Sequence, residues 1–226
     1  CVWLDGDVPA AMAVVARRGD EARLAAFAMR PAYRGKGVGR RLMGSLLDAL
    51  REQGVRRMWL EVIRDNHAAV ALYHSLGFEV RHGLCGYLSA QTASEESSVL
   101  QEYDVLALTR RAGAELNGQL PWLMDPLTFS TLPCRALSLH QQAFAVLATL
   151  SSRPQLQFLW VEPAARGRGL GREMLMALAR QFPGLGTSVT IPERFTPLFQ
   201  TAGYTPGVLK QYEMSATLSA LPSAGR

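Results

Sequence analysis

Long apolar runs are missing from this chain. Nothing approaches the roughly 20 consecutive apolar residues that a membrane-spanning helix requires, and no stretch reads as a secretory leader; the expected setting is the cytoplasm, away from membranes. Cysteine is scarce and odd in number. Cys1, Cys85 and Cys134 lie far apart, in neither a disulfide framework nor a zinc-ligand spacing, and read as reduced thiols. The four histidines, His67, His74, His82 and His140, form no HExxH-type pair, so no metal site is expected. Charge of one sign is slight as well, since 24 basic against 19 acidic residues leave only +5. That balance suits an anionic ligand. With no basic stripe interleaved with aromatics, it gives no support to nucleic-acid binding. Residue 1 is cysteine rather than methionine, which reads as a processed or incomplete gene product.

What the chain does have is 226 residues, 48% of them hydrophobic. That is room for one large domain or two of about a hundred residues each. Residues 8–17 and 22–30 read as two antiparallel strands around a turn at "RGDE". From Arg40 to Leu50, Leu42, Met43, Leu46, Leu47 and Leu50 share one helical face, and Gly54 follows as a terminator. Residues 55–63 read as a strand, 66–78 as a helix begun by Asn66 and stopped at Gly77, and 79–89 as a further strand. "AQTASEESS" (90–98) has linker composition. Beyond it, "VLALTRRAGAEL" and "LPWLMDPL" read as helical. Strands follow at 135–141, 143–152 and 156–162, a helix at 172–182, a strand at 187–191, a short helix at 196–204 and a last strand at 210–218.

The same order therefore occurs twice, and the residues repeat with it. Pro31, Arg34, Gly35, Gly37 and Gly39 correspond to Pro163, Arg166, Gly167, Gly169 and Gly171, each offset by 132. "LYHSLGF" (72–78) corresponds to "LFQTAGY" (198–204) with an offset of 126. The chain is read as two copies of one α/β unit, in tandem rather than as a solenoid: an N-terminal domain at 1–92, a linker at 93–101 and a C-terminal domain at 102–226.

Each copy sets three alternate glycines between a strand and a helix. The unpaired N–H groups of that helix start and its positive dipole end form an anion site. Glycine lets a phosphate reach the main chain without a side-chain clash. Arg34, Lys36 and Arg40 add charge at the first rim, as do Arg166, Arg168 and Arg172 at the second. A Walker loop would need GxxxxGK[ST], which neither copy has. A Rossmann fingerprint would need GxGxxG in a βαβ unit, whereas the spacing here is GxGxG after antiparallel strands. A phosphate or pyrophosphate ligand is the expectation, against the blander reading of a glycine turn with solvated arginines.

These residues carry a resemblance. "MRPAYRGKGVGRRLM" resembles the acetyl-CoA motif of the GNAT N-acetyltransferases, whose signature Arg/Gln-x-x-Gly-x-Gly/Ala is met by Arg34, Gly37 and Gly39 and again by Arg166, Gly169 and Gly171. "LEVIRDNHAAVALYHSLGFE" (60–79) resembles the family's second motif and is similar in flavour to the ribosomal-protein alanine acetyltransferases. The resemblance implies two GNAT-like domains of mixed α/β (α+β) type. Each would be a mostly antiparallel sheet, splayed between its fourth and fifth strands and flanked by helices, with acetyl-CoA or another acyl-CoA in the opening. By matching position, main chain around Phe27, Ala28 and Met29 would pair with the pantetheine arm, and N–H groups from Gly35, Lys36, Gly37, Val38, Gly39 and Arg40 would hold the pyrophosphate. Val161 and the segment Gly167, Arg168, Gly169, Leu170, Gly171, Arg172 match in the second copy.

Acetyl transfer to an amine needs a deprotonated nitrogen, a polarised carbonyl and a proton for the leaving thiolate. Tyr73 matches the family's general acid, the alternative being a tyrosine packed at a helix–sheet seam. Asn66 matches a cofactor-contacting asparagine, the alternative being a simple helix cap. Glu61 is a candidate base, directly or through water, unless strand alternation turns it to solvent. The second copy has Phe199 in place of Tyr73 and Pro192 where the first has its strand-end Asn; Glu162, Glu193 and Tyr212 are its remaining candidates and read as surface residues. The first copy carries only "CVWLDGD" before its strand pair, where the family usually has a strand and two helices forming the acceptor wall. The acceptor is read as a small-molecule or peptide amine, with a homodimer left open. The competing reading is a non-catalytic acyl-CoA sensor or interaction module.

Overall fold

The computed structural model describes residues 1–90, 100–116, 120–150 and 154–218; residues 93–99 of the expected linker at 93–101 lie outside them. Along the chain run β1 (Val2–Asp5), β2 (Val8–Arg18), β3 (Glu21–Met29), α1 (Val38–Glu52), β4 (Arg57–Ile63), α2 (His67–Ser75) and β5 (Glu79–Ser89). They are followed by β6 (Gln101–Tyr103), α3 (Val105–Leu116), α4 (Pro126–Phe129), β7 (Cys134–Leu139), β8 (Ala143–Ala148) and β9 (Gln155–Val161). The remainder is α5 (Leu170–Gln181), β10 (Gly186–Thr187), β11 (Ile191–Pro192), α6 (Thr196–Thr201) and β12 (Tyr204–Thr217). The expected order thus occurs twice. "CVWLDGD", from which no strand is expected, forms β1, and Gln101 at the edge of the expected linker opens β6.

Two compact units result, and their boundaries differ from those of the sequence repeat. Unit 1 is Cys1–His82 with Gln211–Arg226, and unit 2 is Gly83–Lys210. The last strand of the second repeat therefore reaches into the first unit.

In unit 1, β1, β2 and β3 form an antiparallel set with Val2 opposite Met12 and Val15 opposite Leu24. β3 then runs parallel to β4, but only from Glu21 opposite Arg57 to Leu24 opposite Leu60. Past that point the ladder stops, and Ala25–Met29 diverges from Glu61–Ile63. The splay that the resemblance implies falls here between the third and fourth strands, followed by an antiparallel partner in β12, with Gln211 opposite Ile63 and Thr217 opposite Arg57. Strand alternation decides the faces. Met58, Leu60 and Val62 point into a core with Met43, Leu46, Leu47 and Leu50 of α1 and with Met214 and Ala216 of β12. Glu61 and Glu213 consequently lie on the opposite face.

In unit 2, β6 to β9 are antiparallel neighbours, and β9 continues parallel into β10 with Gln155 opposite Gly186. The strand expected over 187–191 is broken into β10 and β11, both paired to β5. Local hydrogen bonds account for the break: Thr187 Oγ1 donates to the Ser188 carbonyl and accepts the Tyr87 N–H, while Ser188 and Thr190 share a hydroxyl contact at 2.7 Å. Such side-chain bonds compete with a ladder, and Pro192 has no N–H to offer one.

Candidate functional site: one open cleft and one filled one

Both glycine loops have the same backbone. After β3, a 3-10 turn at Pro31–Tyr33 leads to Gly35 and Gly37, each at φ 71°, and α1 starts at Val38. After β9 the same turn at Pro163–Ala165 leads to Gly167 at 75° and Gly169 at 82°, with α5 starting at Leu170. Left-handed angles of this kind are free of steric penalty only for glycine. The Gly37 carbonyl accepts from Arg41 N–H and the Gly169 carbonyl from Glu173 N–H. The N–H groups between them therefore have no partner within the helix and face outward as donors. At Gly39 an added Cβ would stand 2.8 Å from Met29 Cε, so the flexible end of that methionine would have to move.

The signature arginines do more than line a rim. Arg34 Nε donates to the Met29 carbonyl at 3.0 Å, and Arg166 Nε donates to the Val161 carbonyl at 3.0 Å. Each clamps its loop to the end of the preceding strand. The matching distance in both copies explains why arginine occupies this position, which charge counting alone had assigned to electrostatics.

Where β3 and β4 diverge, a cleft of about 810 Å³ opens. Its walls bring together Phe27, Ala28, Met29, Arg34, Gly35, Gly37, Gly39, Arg40, Glu61, Asn66 and Tyr73. Of the expected first-copy residues only Lys36 and Val38 fall outside the wall. Tyr73 is 7% exposed, packed beside Phe78, and burial raises its phenol above the ordinary value, so it keeps its proton. Asn66 is both things the sequence allowed, a cleft residue and a helix cap whose Oδ1 accepts Ala69 N–H at 3.2 Å. Glu61 is not free in solvent: Arg23 Nε lies 3.0 and 2.9 Å from its two oxygens, with Nη2 2.5 Å from Oε2. Such a two-pronged charge-assisted contact fixes the carboxylate's orientation. Two participants carried no sequence signal. Arg23 is one charge in an ordinary strand, and Gln211, which completes the wall, lies in the second repeat.

The equivalent space in unit 2 is a pocket of about 80 Å³ with an apolar lining. Leu159 and Phe199 stand at the positions of Phe27 and Tyr73, and Leu120, Met124, Ile191, Phe195 and Leu198 press in beside them. Phe199 stacks on Tyr87 with centroids 4.3 Å apart and planes at 10°. None of the second loop's residues borders this pocket. Arg166 is drawn instead to Glu115 of α3 at 2.7 Å, and Trp160 Nε1 donates to the same carboxylate at 2.7 Å. Burial pushes the Glu115 carboxyl up, but the bonds from Trp160 and Arg166 outweigh it and leave it below the usual range. Arg172 Nε donates to the Thr201 carbonyl at 2.8 Å. Glu162 pairs with Arg111, Glu193 with Lys210 at 3.2 Å, and Tyr212 lies under the Arg64 guanidinium at 4.8 Å. No helix of the described residues is long and apolar enough to cross a membrane.

Residues 1–78 match the acetyltransferase (GNAT) family. A 59-residue stretch is 51% identical to the [ribosomal protein bS18]-alanine N-acetyltransferase of Escherichia coli (strain K12), covering 26% of this chain and 40% of that enzyme. The match thus spans between 14% and 55% of the length of the curated relatives. Among solved structures, a GCN5-related N-acetyltransferase from Sphaerobacter thermophilus superposes with a TM-score of 0.66 over 94% of this chain and 78% of its own, at 16% identity. A tandem GNAT protein from the clavulanic acid biosynthesis pathway superposes with 0.62 over 98% and 83%, at 14% identity. The first 78 residues thus match the acetyltransferase (GNAT) family, and the chain shares the fold of a tandem GNAT protein over nearly its whole length.

Proposed function

We propose that the chain is an N-acetyltransferase in which the cleft of unit 1 binds acetyl-CoA and catalyses transfer of its acetyl group to a primary amine. The observation that carries this reading is the single cleft joining the glycine cradle to Tyr73 and Glu61. The fit to the cofactor is physical. Outward N–H groups at the start of α1, with Arg34 and Arg40 beside them, suit a diphosphate. The edge of β3 left unpaired beyond Leu24 suits an amide-bearing arm running alongside it. Bound there, acetyl-CoA supplies an acyl thioester.

The chain's own groups do the rest. Gly39, lacking a side chain, lets the ligand approach the main chain. An amine nitrogen entering beside Glu61 forms the bond to the carbonyl carbon as the carbon–sulfur bond breaks. Tyr73, kept protonated by burial, gives its phenolic proton to the departing sulfur. The amine's own proton leaves on the Glu61 side. Arg23 holds the Glu61 carboxylate in place beside the entering nitrogen.

For unit 2 we propose a structural copy that holds no acyl-CoA. Its loop has the cradle's backbone, but the apolar filling around Phe199 and the Glu115 carboxylate at Arg166 occupy the places of the acyl arm and the anion. The bS18 relative makes a protein N-terminal amine the first acceptor to try. Release of CoA thiol from acetyl-CoA, measured with an alanine-initiated peptide and a panel of small amines, tests the reading. Turnover that survives Tyr73→Phe undiminished would remove the assigned acid, and absence of turnover on every amine despite CoA binding would favour a sensor.

A further inference from the structure

The sheet face that carries Glu61 is apolar beyond that residue. Met12 pairs with Ala28 and Val14 with Ala26 across β2 and β3, and Val2 of β1 stands opposite Met12. Ala13 and Phe27, the pair between them, turn inward to the core beneath α1. Alternation therefore turns the other five side chains outward, and all five are exposed, Met12 at 43% and Val14 at 46%. Unit 2 has the same face covered. At the offset of 132, Phe144, Val146, Phe158 and Trp160 stand at the positions of Met12, Val14, Ala26 and Ala28, in the same pairing. There all four are buried with Leu108 and Ala112 of α3 and Phe129 of α4. A contiguous apolar surface left open in one copy marks a place for a partner.

The surface also has shape and charge. Where the second copy has Trp160, Ala28 opens a groove of about 460 Å³, with Val2, Pro9, Met12 and Met29 as further apolar walls. Arg30 is the one charged side chain among its described lining residues. Ala28 and Met29 border the cleft as well, so groove and cleft are continuous. Glu61 follows Leu60, the partner of Leu24, which puts it level with Ala25 on β3. Arg30 stands five residues further along, about 16 Å for an extended chain.

We propose that this face docks the acceptor, a peptide whose N-terminal amine enters beside Glu61, whose next side chains are apolar and lie over Met12, Val14, Ala26 and Ala28, and whose carboxylate further along meets Arg30. The inference rests on the acetyltransferase reading of the cleft and narrows its acceptor from any primary amine to an apolar peptide N-terminus. Continuity with the cleft selects this occupant, because a molecule already seated at Glu61 extends directly onto the groove. The separation of about 16 Å places the acidic side chain about five residues after the first. A small amine fills the cleft alone and gains nothing from the face.

Peptide selectivity of the full chain, saturated with CoA, tests this without requiring turnover. In calorimetric titrations the amidated hexapeptide Ala-Leu-Leu-Gly-Gly-Glu is expected to bind about tenfold more tightly than Ala-Ser-Ser-Gly-Gly-Glu, the scale of one buried apolar side chain. Met12→Asp, at an exposed position outside the cleft, is expected to abolish that preference. In turnover it is expected to raise the KM of the leucine peptide about tenfold and to leave CoA affinity and the KM of propylamine unchanged, whereas general damage to the fold would move all three. Arg30→Glu is expected to reverse the preference for Ala-Leu-Leu-Gly-Gly-Glu over its lysine-ended counterpart. Equal binding of the leucine and serine peptides, a preference that survives Met12→Asp, or a charge preference untouched by Arg30→Glu would overturn the proposal. So would a face closed by a second copy, seen as a sedimenting dimer that Met12→Asp splits with peptide affinity undiminished. Selective binding of the leucine peptide with no acetyl transfer to it from acetyl-CoA would instead count against the acetyltransferase reading and leave the docking surface standing.

Discussion

The two glycine loops share one pattern of left-handed glycines, yet the first borders a cleft of about 810 Å³ and the second borders none of the roughly 80 Å³ pocket of its unit. Their arginines make the same 3.0 Å bond to the preceding strand. What differs is everything around them. The first cleft keeps a tyrosine, an asparagine and a carboxylate in its wall, whereas the second has Phe199, Pro192 and a packing of leucine, isoleucine and phenylalanine. Loop backbone and open cleft do not go together: an anion cradle is a local backbone property, set by a few left-handed glycines, while the space beside it is set by other strands and helices.

The largest expected effect would break the equivalence of the two loops outright. Gly37→Glu, which sets a carboxylate in the first cradle, is expected to reduce CoA affinity more than a hundredfold in a calorimetric titration, while Gly169→Glu leaves it within about twofold. Because both positions have positive φ, Gly37→Ala and Gly169→Ala serve as controls, each costing about 1 kcal/mol of stability from backbone strain. Next in size is the acid. Tyr73→Phe is expected to lower kcat by about 10²-fold, the lower end for loss of a positioned proton donor, with KM for acetyl-CoA nearly unchanged. The reciprocal Phe199→Tyr is expected to add no activity, since the second pocket lacks room for an acyl arm.

Smaller effects sharpen the contrast between the copies. Asn66→Ala removes a helix cap and is expected to cost about 1 kcal/mol in denaturant melts, with CoA affinity falling as the helix start loosens. Glu115→Gln addresses the second loop. The native Glu115 carboxyl is held below the range it has in the unfolded chain, so its contribution is present above the unfolded value and fades as pH falls through the native one. The wild type is therefore expected to lose Tm faster than Glu115→Gln as pH is lowered from about 6 to 3, in thermal melts by circular dichroism.

Much of this was legible in the sequence because it is local. The offset of Pro31, Arg34, Gly35, Gly37 and Gly39 against the second set marks the repeat, and the glycines report left-handed backbone directly. The apolar stripe of α1 and the cap at Asn66 are equally local signals. Two features were out of reach. The strand over 187–191 has β-branched residues in plenty, but hydroxyl bonds from Thr187 and Ser188 break it, and propensity does not weigh those. The contribution of β12 to unit 1 is a long-range pairing: nothing near Gln211 or Glu213 announces that their partners are Ile63 and Glu61. For the same reason Glu61 reads from alternation as either buried or solvated, while the structure adds Arg23, a partner 38 positions away.

The most direct test of one working cleft and one filled copy is the stoichiometry of CoA binding to the whole chain by isothermal titration calorimetry. One equivalent per chain, abolished by Gly37→Glu and kept by Gly169→Glu, is the expected result. Two equivalents per chain, or a single site that survives Gly37→Glu, would contradict it.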